Sequence, residues 1–442
     1  MRINLRRYLS LLLCTATLFG SSCAVATRDP EELARSVFVS HTNTIAVESS
    51  FIMNYKFGYR ALYGYGTKLF IVTKRGAVLI RESLFEYNDN TRKLEEISTK
   101  TRIISEAGSD NRAVYTNRGR VFVIKTDGTL CELVDSVYNG LYTTHVVIGI
   151  ENCVKVCISL KNVIALTSDG TVYAWGDNTY GQFGDGNFIS RQIPERVRGL
   201  AGIIDIAGGW DHYLALDGDG NVYSWGRNHV GQIGDGTHTR YFIDFDKFRK
   251  EYEENDYGDY DEETVRYSSS DIDFDILLEN NDRNTVYRVE GLAPVAQIGA
   301  GDCWSAVLQR DGTVLKWGGW KIFMVGKNPY NTEPKPVKGM PENIKAITVS
   351  ETFAFALDDA GEFWSWGCVE HKNGIADGIR SLNDLRYMDD FPEAVKVIPN
   401  EFAVVVTKDE EVFLGQIGGK YFNETFERIF SRAEVRKHKL AL

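Results

Sequence analysis

Catalytic signatures are missing from this 442-residue sequence. It has no P-loop, no nucleophile elbow, no HExxH pair and no G-x-G-x-x-G set between a strand and a helix. Its 7 His are scattered. No cofactor is implied. Beyond residue 26 there is no apolar run of about 18 or more residues, which argues against a membrane-spanning helix. Positive charge is also short, with 50 Lys+Arg against 61 Asp+Glu and a formal net charge of −11. That balance speaks against a nucleic-acid binder that neutralises phosphates, and no basic patch stands out.

Cysteine is scarce. Of 7 residues, Cys14 and Cys23 lie near the N-terminus, leaving Cys131, Cys153, Cys157, Cys303 and Cys368. Their pairing cannot be read from spacing. Cys153 and Cys157 on one strand would stand about 13 Å apart, too far to bridge. A lone C-x3-C makes no zinc site, so no metal is expected and the cysteines read as small buried side chains.

What is present begins at the N-terminus. Residues 1–26 carry Arg2, Arg6 and Arg7, no acid, an apolar stretch from Leu9 to Phe19 and then small residues ending in Ala24-Val25-Ala26. This order is that of a signal peptide, and it predicts a secreted or periplasmic protein. Lipidation at Cys23 is the alternative, although Gly20 stands where a lipobox has an apolar residue.

The rest is a repeat. Residues 163–186 and 213–236 align without a gap, and weaker copies run through 305–318, 354–367, 404–416, 121–133 and 69–81. Each has an apolar run, a tight turn and a second apolar run. The turn positions are Gly76, Gly128, Gly170, Gly220, Gly312, Gly361 and Glu410. Asp-Gly supplies the positive φ that a tight antiparallel connection needs, so each unit reads as a hairpin. In Thr171–Gly176 both faces of the strand are apolar, so it must be covered on both sides, as radially stacked blades are. The expectation is an all-β, seven-bladed β-propeller over residues 60–420.

The residues Gly209, His212, Ala215, Leu216, Asp219, Gly220, Val222, Tyr223, Trp225, Gly226, Asn228, Gly231, Gln232, Gly234, Asp235 and Gly236 together resemble the regulator of chromosome condensation repeat. The resemblance is strong for two units, and weaker for those ending in Trp317-Gly318 and Trp366-Gly367. It implies a propeller of that family, here of a secreted bacterial type. It also implies structural roles for Gly170, Trp175, Gly176, Gly220, Trp225, Gly226, Gly312, Trp317, Gly318, Gly361, Trp366 and Gly367. His212 reads as a structural brace.

One interval between turns is too long by about forty residues, which places an acidic insertion at 244–282 between the fourth and fifth repeats. That stretch holds 15 Asp or Glu against 4 Lys or Arg, with Tyr252, Tyr257, Tyr260 and Tyr267 among them. Residues 27–59 are expected to give a helix starting at Asp29-Pro30 and a ring-closing strand. Residues 421–442, with Phe422, Phe426, Ile429 and Ala433 at helical intervals, are expected to form a helical tail.

Because the strands of each hairpin run oppositely, the Asp-Gly turns share one end of the ring. The opposite end collects Asp177, Tyr180, Trp210, Asp211, Arg227, His229, Asp302, Trp320 and Glu351 as candidate partner-binding residues, a hot-spot composition on a rigid frame. The function expected is a secreted, non-enzymatic protein-binding scaffold, acting as a monomer toward a protein partner that the sequence does not identify. A lipid-anchored envelope structural protein and a propeller enzyme with a loop-built site remain the alternatives.

Overall fold

The computed structural model describes residues 45–54, 62–88, 93–117, 119–135, 141–159, 161–243, 275–319, 331–350, 353–359, 363–367, 380–381, 394–398, 402–407, 409–416, 426–438 and 440. Its architecture is all-β and antiparallel, consistent with a propeller of the kind expected, and each four-stranded sheet comes from one contiguous stretch of chain.

The first sheet holds Ile45–Asn54, Leu62–Val72, Val78–Asn88 and Lys93–Ile104, and the second Asn111–Asn117, Arg120–Lys125, Leu130–Asp135 and Tyr142–Val146. The third has Cys153–Ile158, Asn162–Thr167, Val172–Gly176 and Arg191–Arg196; the fourth has Ile203–Gly208, His212–Asp217, Val222–Gly226 and Arg283–Arg288. The fifth is Val295–Ala300, Trp304–Gln309, Val314–Gly318 and Lys335–Pro336. The sixth is Ile344–Val349, Phe353–Asp358, Phe363–Gly367 and Arg380–Ser381, and the seventh is Ala394–Ile398, Phe402–Thr407, Val412–Gln416 and Phe426–Phe430.

The core lies between sheets rather than within one layer. Ile164, Leu166 and Ala174 of the third sheet pack on Ile206, Tyr213 and Trp225 of the fourth, and Leu214 and Val222 of the fourth pack on Val307 and Trp317 of the fifth. The second strands Asn162–Thr167, His212–Asp217 and Trp304–Gln309 are therefore buried on both faces, which is what their two-sided apolar sequences require. First strands of neighbouring sheets touch one another, so they lie inside and the fourth strands form the outer rim. The turns behave as their sequences dictate: Gly76, Gly128, Gly170, Gly220 and Gly312 all have positive φ, and Glu410 takes the same conformation at φ 61°.

Three expectations change. The insertion does not lie between repeats: it leaves from inside the fourth sheet, between Val222–Gly226 and Arg283–Arg288. Its base is a two-stranded ribbon of Arg240–Ile243 with Asp275–Glu279, and Asp282 accepts the Asn228 N–H at 2.7 Å in the loop that follows Val222–Gly226. Turn-to-turn counting measures the extra length but not which connection holds it. The end of the chain is not a helical tail throughout, because Phe426–Phe430 completes the seventh sheet and only Arg432–His438 is helical. An edge that needs a fourth strand outweighs a spacing that also fits a helix. Third, the N-terminal strand, Ile45–Asn54, pairs within the first sheet and so does not close the ring by completing another sheet. Asp29-Pro30 and the insertion's tyrosines lie outside the described residues. The described cysteines, Cys131, Cys153, Cys157 and Cys303, are buried and none is in a disulfide; Cys368 lies outside the described residues.

Candidate functional site at the end opposite the Asp-Gly turns

The loops after the third and fourth hairpins share the pattern N-x-x-G-Q-x-G-D-G, and hydrogen bonding explains each polar member. The Asn178 side-chain oxygen accepts the Phe183 N–H at 2.9 Å, and Asn228 does the same for Ile233 at 3.2 Å. The Gln182 amide oxygen accepts the Tyr180 N–H at 2.8 Å, and Gln232 does so for Val230 at 3.0 Å. With both turns pinned, the Gln main-chain carbonyls point into the next sheet. There Gln182 O accepts Trp225 Nε1–H at 2.8 Å, and Gln232 O accepts Trp317 Nε1–H at 2.8 Å. Each loop thus clasps the indole of the following sheet.

On this frame sit the residues singled out in the sequence. The Arg227 guanidinium lies over the Tyr180 ring at 4.3 Å and pairs with Asp211 at 3.5 Å. Asp211 also accepts the Gln182 side-chain amide at 3.2 Å, and its main-chain carbonyl accepts the Arg227 N–H at 2.9 Å. Trp210 N–H donates to the Asp302 carbonyl at 3.0 Å, tying the fourth sheet's loop to the fifth's, and Ser159 Oγ–H donates to the Trp210 carbonyl. Asp177 accepts the hydroxyls of Thr179 at 2.8 Å and Ser190 at 3.0 Å. Tyr180, Trp210, Asp211, Arg227 and Asp302 are all half-buried, so the structure brings them to one partly exposed surface. Trp320 and Glu351 lie outside the described residues.

His229 is turned inward. Its Nδ1 accepts the Gln232 amide N–H at 3.0 Å, and since the Gln232 oxygen is already taken by Val230, the amide orientation is fixed. The remaining proton is on Nε2, which faces Cys303 Sγ at 3.6 Å. Burial and the neighbouring Arg227 charge hold this imidazole well below its ordinary pKa. His212, unlike the half-buried His229, is fully buried, its Nε2 3.0 Å from Ser305 Oγ, whose proton goes to the Gln232 carbonyl at 3.0 Å. The sequence did not reveal the Gln–Trp clasp, although the recurrence of Gly-Gln fifty residues apart was its signal.

Burial depresses the His212 pKa from 6.5 to about 3. The unfolded chain therefore binds a proton that the folded chain refuses, and stability falls as pH drops below the unfolded value. Between pH 6.5 and about 5 this one group costs about 2 kcal/mol. Urea unfolding of His212→Asn is expected to show a flatter pH dependence over that range than wild type; equal slopes would contradict a neutral, buried His212.

Residues 169–216, and the two segments 153–182 and 203–232, match a known repeat. It is the Regulator of chromosome condensation (RCC1) repeat. Human E3 ubiquitin-protein ligase HERC2 is 39 % identical over 64 residues, which is 14 % of this chain and 1 % of HERC2. The ultraviolet-B receptor UVR8 of Arabidopsis thaliana is 39 % identical over 54 residues, 12 % of each chain. This chain thus spans only a small part of the relatives it matches. Among solved structures, Prp20p from Saccharomyces cerevisiae, described by its binding properties to Gsp1p and histones, superposes with a TM-score of 0.51 at 18 % identity, covering 76 % of this chain and 81 % of that one. At that identity the likeness is one of fold.

These relatives correct the sequence reading. They are eukaryotic, intracellular proteins carrying the RCC1 repeat, so the secreted bacterial-type assignment, the signal peptide at 1–26, the periplasmic location and the lipid anchor on Cys23 are withdrawn. Arg2, Arg6 and Arg7 before an apolar run satisfy a signal pattern that composition alone can produce. Among the described residues no helix is long and apolar enough to cross a membrane, and no three His, Cys, Asp or Glu gather as a metal site.

Proposed function

We propose that the chain is a seven-bladed RCC1-type propeller that acts as a non-catalytic protein-binding module, its partner seated on the end opposite the Asp-Gly turns. One observation carries this reading: the Arg227 guanidinium is held over the Tyr180 ring and paired with Asp211, the neighbour in sequence of the half-buried Trp210. Arg and aromatic side chains on a pre-organised frame lose little freedom on binding, which is the physical basis of a hot spot. A net charge of −11 favours a basic partner. Prp20p, of the same fold, has described binding to Gsp1p and histones.

Purified Gsp1p and core histones are the probes, titrated against the full chain. Trp210→Ala and Tyr180→Ala are each expected to weaken binding by about 1–3 kcal/mol with little change in melting temperature. Asp169→Ala, at the other end, is expected to leave affinity unchanged. If neither probe binds, or if Asp169→Ala abolishes binding while Trp210→Ala does not, the proposal fails.

A further inference from the structure

A sheet's outer strand presents unpaired main-chain groups to solvent and invites another strand unless something blocks it. In the third sheet Val197 N–H donates inward to Val172 O at 2.8 Å, and Pro194 lies in the stretch where the pairing slips between Glu195 and Arg191, so that edge is both irregular and short of an N–H. In the fifth, Val337 N–H donates inward to Val314 O at 2.9 Å, which turns Pro334 and Pro336 outward. Proline has no N–H to offer there, and both edges are closed. The outer strands Lys93–Ile104, Arg283–Arg288, Arg380–Ser381 and Phe426–Phe430 carry Lys, Arg or Glu.

The second sheet differs. Its outer strand, Tyr142–Val146, reads YTTHV, with no proline, no Lys or Arg and no acid. It pairs with Leu130–Asp135 without a bulge. Val147 N–H donates inward to Leu130 O at 2.9 Å, so Tyr142, Thr144 and Val146 turn their N–H and C=O outward. Thr144 stands where Pro194 and Pro334 stand in the other sheets, three residues before the inward valine. Around it Leu141 is 50 %, Val146 59 % and Ile148 82 % exposed.

We propose that this strand pairs antiparallel with the same strand of a second copy, making a two-fold dimer. Charge selects that occupant. In a two-fold pair each residue near the axis meets its own counterpart, so an edge with a central charge repels itself, and this is the uncharged one. Centred on Thr144, the register sets Thr144 against Thr144, His145 against Thr143 and Val146 against Tyr142. Tyr142 is buried against the first sheet and the Thr144 hydroxyl donates to the Glu106 carbonyl, so the main-chain groups carry the pairing, and the exposed Val146 and Ile148 add the apolar contact. The outward groups of Tyr142, Thr144 and Val146 then all find partners, and Leu141, Val146 and Ile148 are covered. This contact is on the outer rim and is independent of the partner-binding end.

Sedimentation of the full chain over a concentration series tests it. Wild type is expected to dimerise in the micromolar range, and Thr144→Pro to weaken the dimer at least about tenfold with an unchanged melting temperature. Thr144→Cys gives a positive readout, because hydrogen-bonded partners across an antiparallel pair have Cα atoms about 5.5 Å apart, within disulfide reach. Its mild oxidation is expected to give a covalent dimer on a non-reducing gel. A wild-type monomer at every concentration overturns the proposal, as does a dimer that Thr144→Pro leaves intact and Thr144→Cys fails to cross-link.

Discussion

Trp225→Ala is expected to lower the unfolding free energy by about 3–5 kcal/mol, read from the shift of the urea midpoint. The indole is 0 % exposed and joins the core between the third and fourth sheets. It lies against the Tyr213 ring, with centroids 5.8 Å apart, and the missing side chain of Gly184 leaves room for it: a Cβ there would come within 3.2 Å of the ring. Truncation opens a cavity and also strands the Gln182 carbonyl, which loses its N–H donor. Trp225→Phe separates the two effects, since it keeps most of the packing and loses the bond. It should cost less than the alanine variant but still about 1–3 kcal/mol. A loss below about 1 kcal/mol for the alanine variant would mean that the clasp adds nothing to the junction between sheets.

Gly226→Ala is expected to cost about 3 kcal/mol or more and to weaken partner binding as well. Two faults combine. The residue has φ +97°, and a Cβ would lie 2.3 Å from the Asp211 carbonyl oxygen and 3.0 Å from His212 Cα. Backbone cannot move aside as the end of a flexible side chain can. Asp211 is also the residue that holds Arg227 over Tyr180, so displacing it spoils the proposed binding surface. Gly202→Ala is the control, because φ there is +62° with nothing within 4 Å of the new Cβ. It should cost only the conformational penalty of about 1–2 kcal/mol. Equal losses at the two positions would show that contact with Asp211 plays no part.

The hairpins were legible because both their strands are buried on two faces and their turns need a positive φ, demands that few sequences meet. Even Glu410, with no glycine, was placed in register and takes φ 61°. The outer strands were not legible. Arg191–Arg196 and Arg283–Arg288 have one wet side and an edge, so neither hydrophobic period nor turn chemistry marks them. That blindness also hid the insertion's place, since the connection it lengthens ends in such a strand. At the site, topology alone put Trp210 and Asp211 near Asp302 and Arg227. The stacking of Arg227 on Tyr180 and the inward turn of His229 depend on side-chain rotation, which spacing does not encode.

The junction between the seventh and first sheets is of another kind from the rest. Among the described residues no strand crosses it to finish a sheet begun at the other end of the chain. It is made by side-chain packing, by Arg81 over the Phe430 ring at 5.4 Å, and by the buried Leu440 bridging to Thr73 just after the short Arg432–His438 helix. Every sheet can therefore be completed from its own stretch as the chain leaves the ribosome, each docking on its finished predecessor. The last meeting is the only one that waits for the whole chain. Under a pulling force on its termini the molecule would part there first, opening like a clasped bracelet whose links stay whole.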